Sequence, residues 1–223
     1  MSKVVLVTGG NTLTGRKLIE KLLSREFCVI TPVPGKGSET PETGTKNLTV
    51  LNWNRASWFS TKNLVREILR IHGDLDAAFV LNHHISSGLA LDEMDSSQVE
   101  NVLEQSVKSD VSLVRELTAL PLHGGKDAFF LGMVIPHRKG GAPEPLDALA
   151  EGAFKSFAAS VIRNNRPGWW SCGFVNTSPD AESFAEALID RWQQRPPKLR
   201  GNWYRYAEGK RPFGGSGIVD TIK

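Results

Sequence analysis

Disulfide chemistry has almost nothing to work with in this chain: Cys28 and Cys172 are the only cysteines in 223 residues. Both fall inside strand-like apolar runs, so reduced, buried thiols are expected in place of a disulfide scaffold, and a cytoplasmic home fits. Tyrosine is equally scarce, with Tyr204 and Tyr206 alone. No apolar run approaches the ~20 residues that span a bilayer, and the first residues lack an apolar stretch followed by a cleavage site. Neither a membrane partner nor a secretory leader is therefore expected. Charge of one sign is missing too. The 27 basic and 24 acidic residues leave +3, and the basic residues are scattered, which argues against a nucleic-acid partner. No internal repeat is present. The composition that remains, 40% hydrophobic and 23% charged, is ordinary for a globular chain. Its length suits one α/β domain, 1–223, with a substantial core.

The most informative stretch lies at the start. Lys3 to Thr8 is a continuous run of Val and Leu, as in a strand buried on both faces. Thr8 to Thr12 is small and polar, with Gly9 and Gly10 permitting a tight turn. From Leu13 the spacing becomes helical, with Leu13, Ile19, Leu22 and Leu23 able to share a face. Strand, glycine-rich turn and helix in that order open a dinucleotide-binding βαβ unit.

Strands and helices then alternate at a spacing suited to parallel crossovers. Further strands are expected at Glu26–Thr31, Asn47–Leu51, Asp76–Asn82, Asp127–Ile135, Trp170–Val175 and Asn202–Tyr206. Residues 32 to 46, rich in Pro, Gly, Thr and Ser, read as a loop. Helices are expected over Ala56–His72, stopped by Gly73, from a Ser96 or Ser97 cap to about Leu120, over Leu146–Asn164 and over Ala181–Gln193. In the third of these, Leu149, Ala153, Phe157 and Val161 form one stripe, with Gly152, Ser156, Ala159 and Ser160 on another side. Such a helix can pack inward on the sheet and outward on a partner. The fold expected is a Rossmann-like doubly wound sheet of about seven mostly parallel strands, with helices on both faces.

The opening turn resembles the Thr-Gly-x-x-x-Gly-x-Gly turn of the short-chain dehydrogenase/reductase family. Thr8, Gly9 and Gly15 match, whereas Leu13 occupies the middle glycine. The resemblance spans Lys3 to about Gly215, and the reduced region after the second strand suits the shorter, dihydropteridine-reductase-like branch. It implies NAD(P) held by Thr8, Gly9, Asn11, Leu13, Gly15, Asn82 and Lys155. Leu13, which adds four carbons where backbone should approach a diphosphate, implies that NAD(P) is bound weakly or not at all. Lys36 is a candidate for a 2′-phosphate and Asn52 for an adenine amino group, while Asn82-His83-His84-Ile85 replaces the family's Asn-Asn-Ala-Gly.

The family's chemistry needs a tyrosine that trades a proton, a lysine four residues later that lowers its pKa, and a serine that steadies the substrate oxygen. Here Lys155 matches the lysine, which puts Glu151 in the tyrosine's place, while Leu131-Gly132-Met133-Val134 stands where the serine is expected. The family's helix asparagine falls near Lys108 or Ser109. Glu151 is expected to pair with Lys155 and stay ionised, the wrong state for a proton donor. His83 and His84 point to opposite sides on extended backbone, and no nearby Cys or Glu completes a metal set. His137 is expected in solvent, and Asn176-Thr177-Ser178 as a turn ahead of a helix. Three readings stay open. One is a non-catalytic structural or regulatory subunit, as a homodimer, a higher oligomer or a heteromer with an active homologous subunit. The others are an NAD(P)H-dependent oxidoreductase with an atypical site, and a dinucleotide sensor without turnover.

Overall fold

The computed structural model describes residues 2–34, 45–82, 91–120, 128–138, 143–164 and 166–207. Seven parallel strands form one sheet: β1 (Val4–Val7), β2 (Cys28–Val33), β3 (Leu48–Asn52), β4 (Ala77–Leu81), β5 (Phe129–Ile135), β6 (Trp169–Asn176) and β7 (Trp203–Tyr206). Their order across the sheet is β3-β2-β1-β4-β5-β6-β7. After β3 the chain returns past β1 to place β4, so the order reverses between β1 and β4. That is the switch point at whose carboxyl edge a ligand crevice opens in doubly wound folds.

Alternation along each strand sends side chains to two cores. Val5, Val7, Phe79, Leu81 and Val134 face the helices α1 (Leu13–Ser24) and α6 (Ala181–Gln194). Val4, Leu6, Val80, Met133 and Ile135 face α2 (Trp58–His72), α4 (Ser109–Thr118) and α5 (Pro145–Arg163), with α3 (Ser96–Leu103) packed against α5. Pro32 and Val33, expected in a loop, extend β2 and pair with Leu51 and Asn52. Pro32 lies past the last β1–β2 bridge, Leu6 to Ile30, where β2 is bridged to β3 alone and a proline is tolerated as on an edge.

Two expectations about helix faces are corrected, those for α1 and α5. In α1 the core row is Leu18, Ile19 and Leu22, while Leu13 is 41% exposed in the first turn, beyond the reach of the sheet. In α5 the sheet-facing row is Leu146, Ala150, Phe154, Ala158 and Ile162. The row expected from the sequence lies one residue earlier along the helix. Rotation by about 100° per residue leaves Leu149 53% exposed and brings Phe157 and Val161 to the margin of the core. In α2, Trp58 and Phe59 are exposed, and Leu64, Val65 and Ile68 carry the packing. Full burial of Phe154 or Ile162 is worth about 1.5–3 kcal/mol each, which decides the rotation of α5.

The helix expected from Ser96 to Leu120 is broken by a π-helical turn at Glu104–Lys108. Its N-cap is Asp95, one residue before the expected serines, in a capping box with Gln98. Gly73, with φ of 78°, ends α2 as expected. Cys28 and Cys172 are both free thiols, the first only half-buried. Among the described residues, no helix is long and apolar enough to cross a membrane.

Candidate functional site

The β1–α1 turn is built to close on itself. Thr8 ends β1, and its hydroxyl accepts from the Leu81 N–H at 2.8 Å, tying the ends of β1 and β4 across the switch point. The Gly9 carbonyl accepts from both the Thr12 N–H and the Thr12 hydroxyl at 2.8 Å. The Thr12 oxygen in turn caps α1 by accepting from the Gly15 N–H at 3.0 Å. Gly9 has φ of 69°. A Cβ at Gly15 would stand 2.1 Å from the Gly9 carbonyl oxygen, so helix and turn touch where only hydrogen fits. Of the residues the resemblance assigns to cofactor, Thr8, Gly9 and Gly15 are therefore engaged in folding the turn. Asn11 is half-buried and Leu13 faces outward from the first turn of α1. The turn has the strand–glycine–helix order of a phosphate-binding turn, and Leu13, where the resemblance has a glycine, projects 41% exposed from the start of α1. The fit to a dinucleotide is incomplete.

Across the crevice, α5 carries Asp147, Glu151 and Lys155 at intervals of four, on one stripe beside the core row. Glu151 and Lys155 are half-buried. The expected ion pair between them is not formed; neither side chain has a salt bridge among the described residues. No tyrosine stands on α5. Tyr204 packs edge-on against Phe174, with ring centroids 6.1 Å apart, and Tyr206 lies 5.6 Å from Phe184, both on the β7 edge.

Leu131 to Val134, which stand where the resemblance places the serine, are buried inside β5, and Pro136, His137 and Arg138 follow its end at Ile135. His137 is half-buried, not in open solvent. Arg138 was missed from the sequence. Its Nη2 donates to Asp147 Oδ2 at 2.6 Å, and Asp147 is almost wholly buried in the first turn of α5. Its Nη1 is buried and has no acceptor. An arginine just past a strand, nine residues before an aspartate opening the next helix, was the available signal. Asn82 at the end of β4 is 1% exposed, and neither side-chain amide atom has a partner. Only its backbone N–H is engaged, to the Val134 carbonyl at 2.8 Å.

Several other candidates resolve into structure. Lys108 is exposed and pairs with Glu104 at 2.6 Å. The Ser109 hydroxyl donates to the carbonyls of Gln105 and Ser106. Asn176, Thr177 and Ser178 form the expected turn. Asn176 Oδ1 accepts from the Ser178 N–H, and Asp180 caps α6 by accepting from Ser183. Asn52 is exposed at the end of β3, on an open groove of about 630 Å³ shared with Asn54, Phe59 and Asn63. Lys36, His83 and His84 lie outside the described residues. Among the described residues no cluster of three His, Cys, Asp or Glu could hold a metal.

The strongest electrostatic feature lies away from the crevice. Arg55 is stacked on Trp53, 4.5 Å from the ring centroid, and donates through Nε to the Gln105 carbonyl and through Nη2 to Asp110 Oδ1, both at 2.8 Å. The Gln105 carbonyl, inside the π-turn, thus accepts from both Arg55 and the Ser109 hydroxyl. Burial pushes the Asp110 carboxyl up to about 6, against the pull of Arg55. Burial likewise lowers the pKa of Arg55.

No protein-family model matches the chain, and no curated protein sequence matches it. Solved structures do. A short-chain dehydrogenase from Mycobacterium smegmatis is 13% identical, covers 94% of this chain and 93% of its own, and superposes with a TM-score of 0.75. A short-chain dehydrogenase from Burkholderia cenocepacia J2315, solved in complex with NADP, is 14% identical over 93% and 97% with a TM-score of 0.74. YwfH, described as an NADPH-dependent reductase involved in bacilysin biosynthesis, is 11% identical over 94% and 100% at 0.70. Identities this low establish a common fold and leave the chemistry to the residues.

Proposed function

We propose that this chain is a member of the short-chain dehydrogenase/reductase family that does not transfer hydride by the tyrosine-dependent route and serves as a structural or regulatory subunit. The observation that carries the reading is on α5: Glu151 stands four residues before Lys155, and both tyrosines of the chain are in β7. A carboxylate in place of the phenol removes the family's proton donor. NAD(P) binds weakly or not at all, because Leu13 replaces the glycine beside the diphosphate. The NADP-bound relative makes that binding the first thing to measure. Where a dinucleotide does bind, it supplies the hydride, and Lys155 is the side chain placed to hold its nicotinamide ribose.

The partner is a second copy of the chain or an active homologous subunit, met through the outer faces of α3–α4 and α5, which expose Val111 and Leu149. A cytoplasmic location belongs to the same reading. Calorimetry with NADH and NADPH, together with light scattering of the purified chain alone and co-expressed with a homologue, tests it. No heat, no turnover and an oligomer are expected. Rapid nicotinamide-dependent turnover by the lone chain would sink the reading. A second reading, an oxidoreductase with an atypical site, is favoured by one observation: Glu151 stands in the cleft with no salt bridge to Lys155 among the described residues. Replacing Glu151 with Gln would abolish that activity.

A further inference from the structure

Three neighbouring strand ends leave buried polar groups without partners: Asn82 after β4, Arg138 beyond β5 and Asn176 at the end of β6. A buried donor without an acceptor costs about 1–3 kcal/mol, more for a charged group. Folded chains rarely leave such groups unsatisfied, and the exceptions call for a cause such as a binding role. The alternation of β4 carries Asn82 to the side of Val80 and α5, and Asn82 lies opposite Ile135 through its bond to Val134. Three residues past Ile135, Arg138 is tied to Asp147, the head of the stripe that continues to Glu151 and Lys155. Asn176 falls on the opposite side by the same alternation, away from Arg138 and Asn82.

A guanidinium cannot shed its charge to relieve an orphaned amine. Its planar fork is suited to a planar oxyanion, and Asp147 uses one arm while leaving the other. Asn82 offers a further donor, and Lys155 a cation with no salt bridge among the described residues.

We propose that the α5 side of the crevice, beyond β4 and β5, binds a small molecule bearing an oxyanion, a carboxylate or a phosphate, anchored by Nη1 of Arg138 and assisted by the Asn82 amide. This site deepens the reading of a subunit that has given up hydride transfer. It supplies that subunit with a ligand to sense.

The test measures the thermal midpoint of the whole chain against sodium oxalate, inorganic phosphate and NADPH, each compared with sodium chloride at equal ionic strength. Oxalate or phosphate is expected to raise the midpoint saturably, and whichever does so identifies the source of the oxyanion. Arg138→Gln should weaken that affinity about tenfold or more. The double variant Arg138→Gln, Asp147→Asn should bind as poorly while leaving no buried carboxylate uncompensated. Arg25→Ala removes the same charge from the exposed Arg25–Asp190 pair and should bind like the parent. Asn82→Leu should lower the affinity while holding or raising the ligand-free midpoint, because two orphaned polar atoms are gone. No midpoint shift with oxalate, phosphate or NADPH, or a shift equal in all variants, overturns the site. Nicotinamide turnover would sink the non-catalytic reading and leave the Arg138 result standing.

Discussion

Two arginine–aspartate pairs of nearly equal length sit in different parts of this molecule, and each leaves one atom unpaired. Arg55–Asp110 closes at 2.8 Å in the α2–α4 core, and its orphan is an acceptor, Asp110 Oδ2. Arg138–Asp147 closes at 2.6 Å beside the crevice, and its orphan is a donor, Arg138 Nη1. The core pair can relieve its own defect. Asp110, with its pKa near 6, takes up a proton as the medium acidifies. Arg138 has no such exit, since a guanidinium stays charged. A defect that the protein cannot repair by itself points to something supplied from outside, and this separates a structural pair from a binding one.

The comparison can be broken most directly in the core. Arg55→Ala leaves Asp110 buried without its cation and should cost about 3–5 kcal/mol in urea unfolding. A loss below 1 kcal/mol would mean that water reaches the pair. Arg138→Ala, at a site whose arginine is 27% exposed, should cost less, about 1–3 kcal/mol. An equal loss at both positions would erase the distinction drawn between them.

Acid sharpens it further. Asp110 has a folded pKa raised above its unfolded value, so its stabilising effect is complete below the ordinary carboxylate range and is lost as pH rises through about 6. Measured against Asp110→Asn at each pH, the parent should gain stability between pH 7 and pH 4. A flat difference would show that Arg55 keeps the carboxylate ionised throughout. At the small end, Arg70→Ala removes the exposed pair to Glu67 at 2.6 Å. It should leave the unfolding midpoint unchanged, because water screens that pair.

How much of the molecule was legible beforehand differs between strands, helices and site. The central strands were readable, because a strand buried on both faces is a run of apolar residues, as in β1, β4 and β5; the half-buried edge strands β3 and β7 showed by their place in the alternation. Helix faces were less so. In α5 small and apolar residues occupy two adjacent rows, and only contact with the sheet shows that Phe154, not Phe157, points inward. The π-turn left no mark in the sequence, and its Gln105 carbonyl accepts from an arginine fifty positions away, Arg55. That both tyrosines fall outside the helix after β5 was plain from the sequence, whereas the part played by Arg138 was hidden, because its bond to Asp147 forms only when the loop after β5 meets α5.

The amino-acid order alone thus determined the alternation of strands and helices, the glycine-rich turn and the confinement of both tyrosines to the last strand, because each rests on local chemistry or on which side chains exist. Tertiary structure decided which polar groups find partners. Thr8 was drawn into the sheet and Glu151 was left apart from Lys155. Asn82 was buried with its amide unpartnered, and Arg138 was left with one buried nitrogen, Nη1, unpartnered. Hydrogen-bond satisfaction depends on atoms brought together from distant parts of the chain, and no local pattern of residues encodes that meeting.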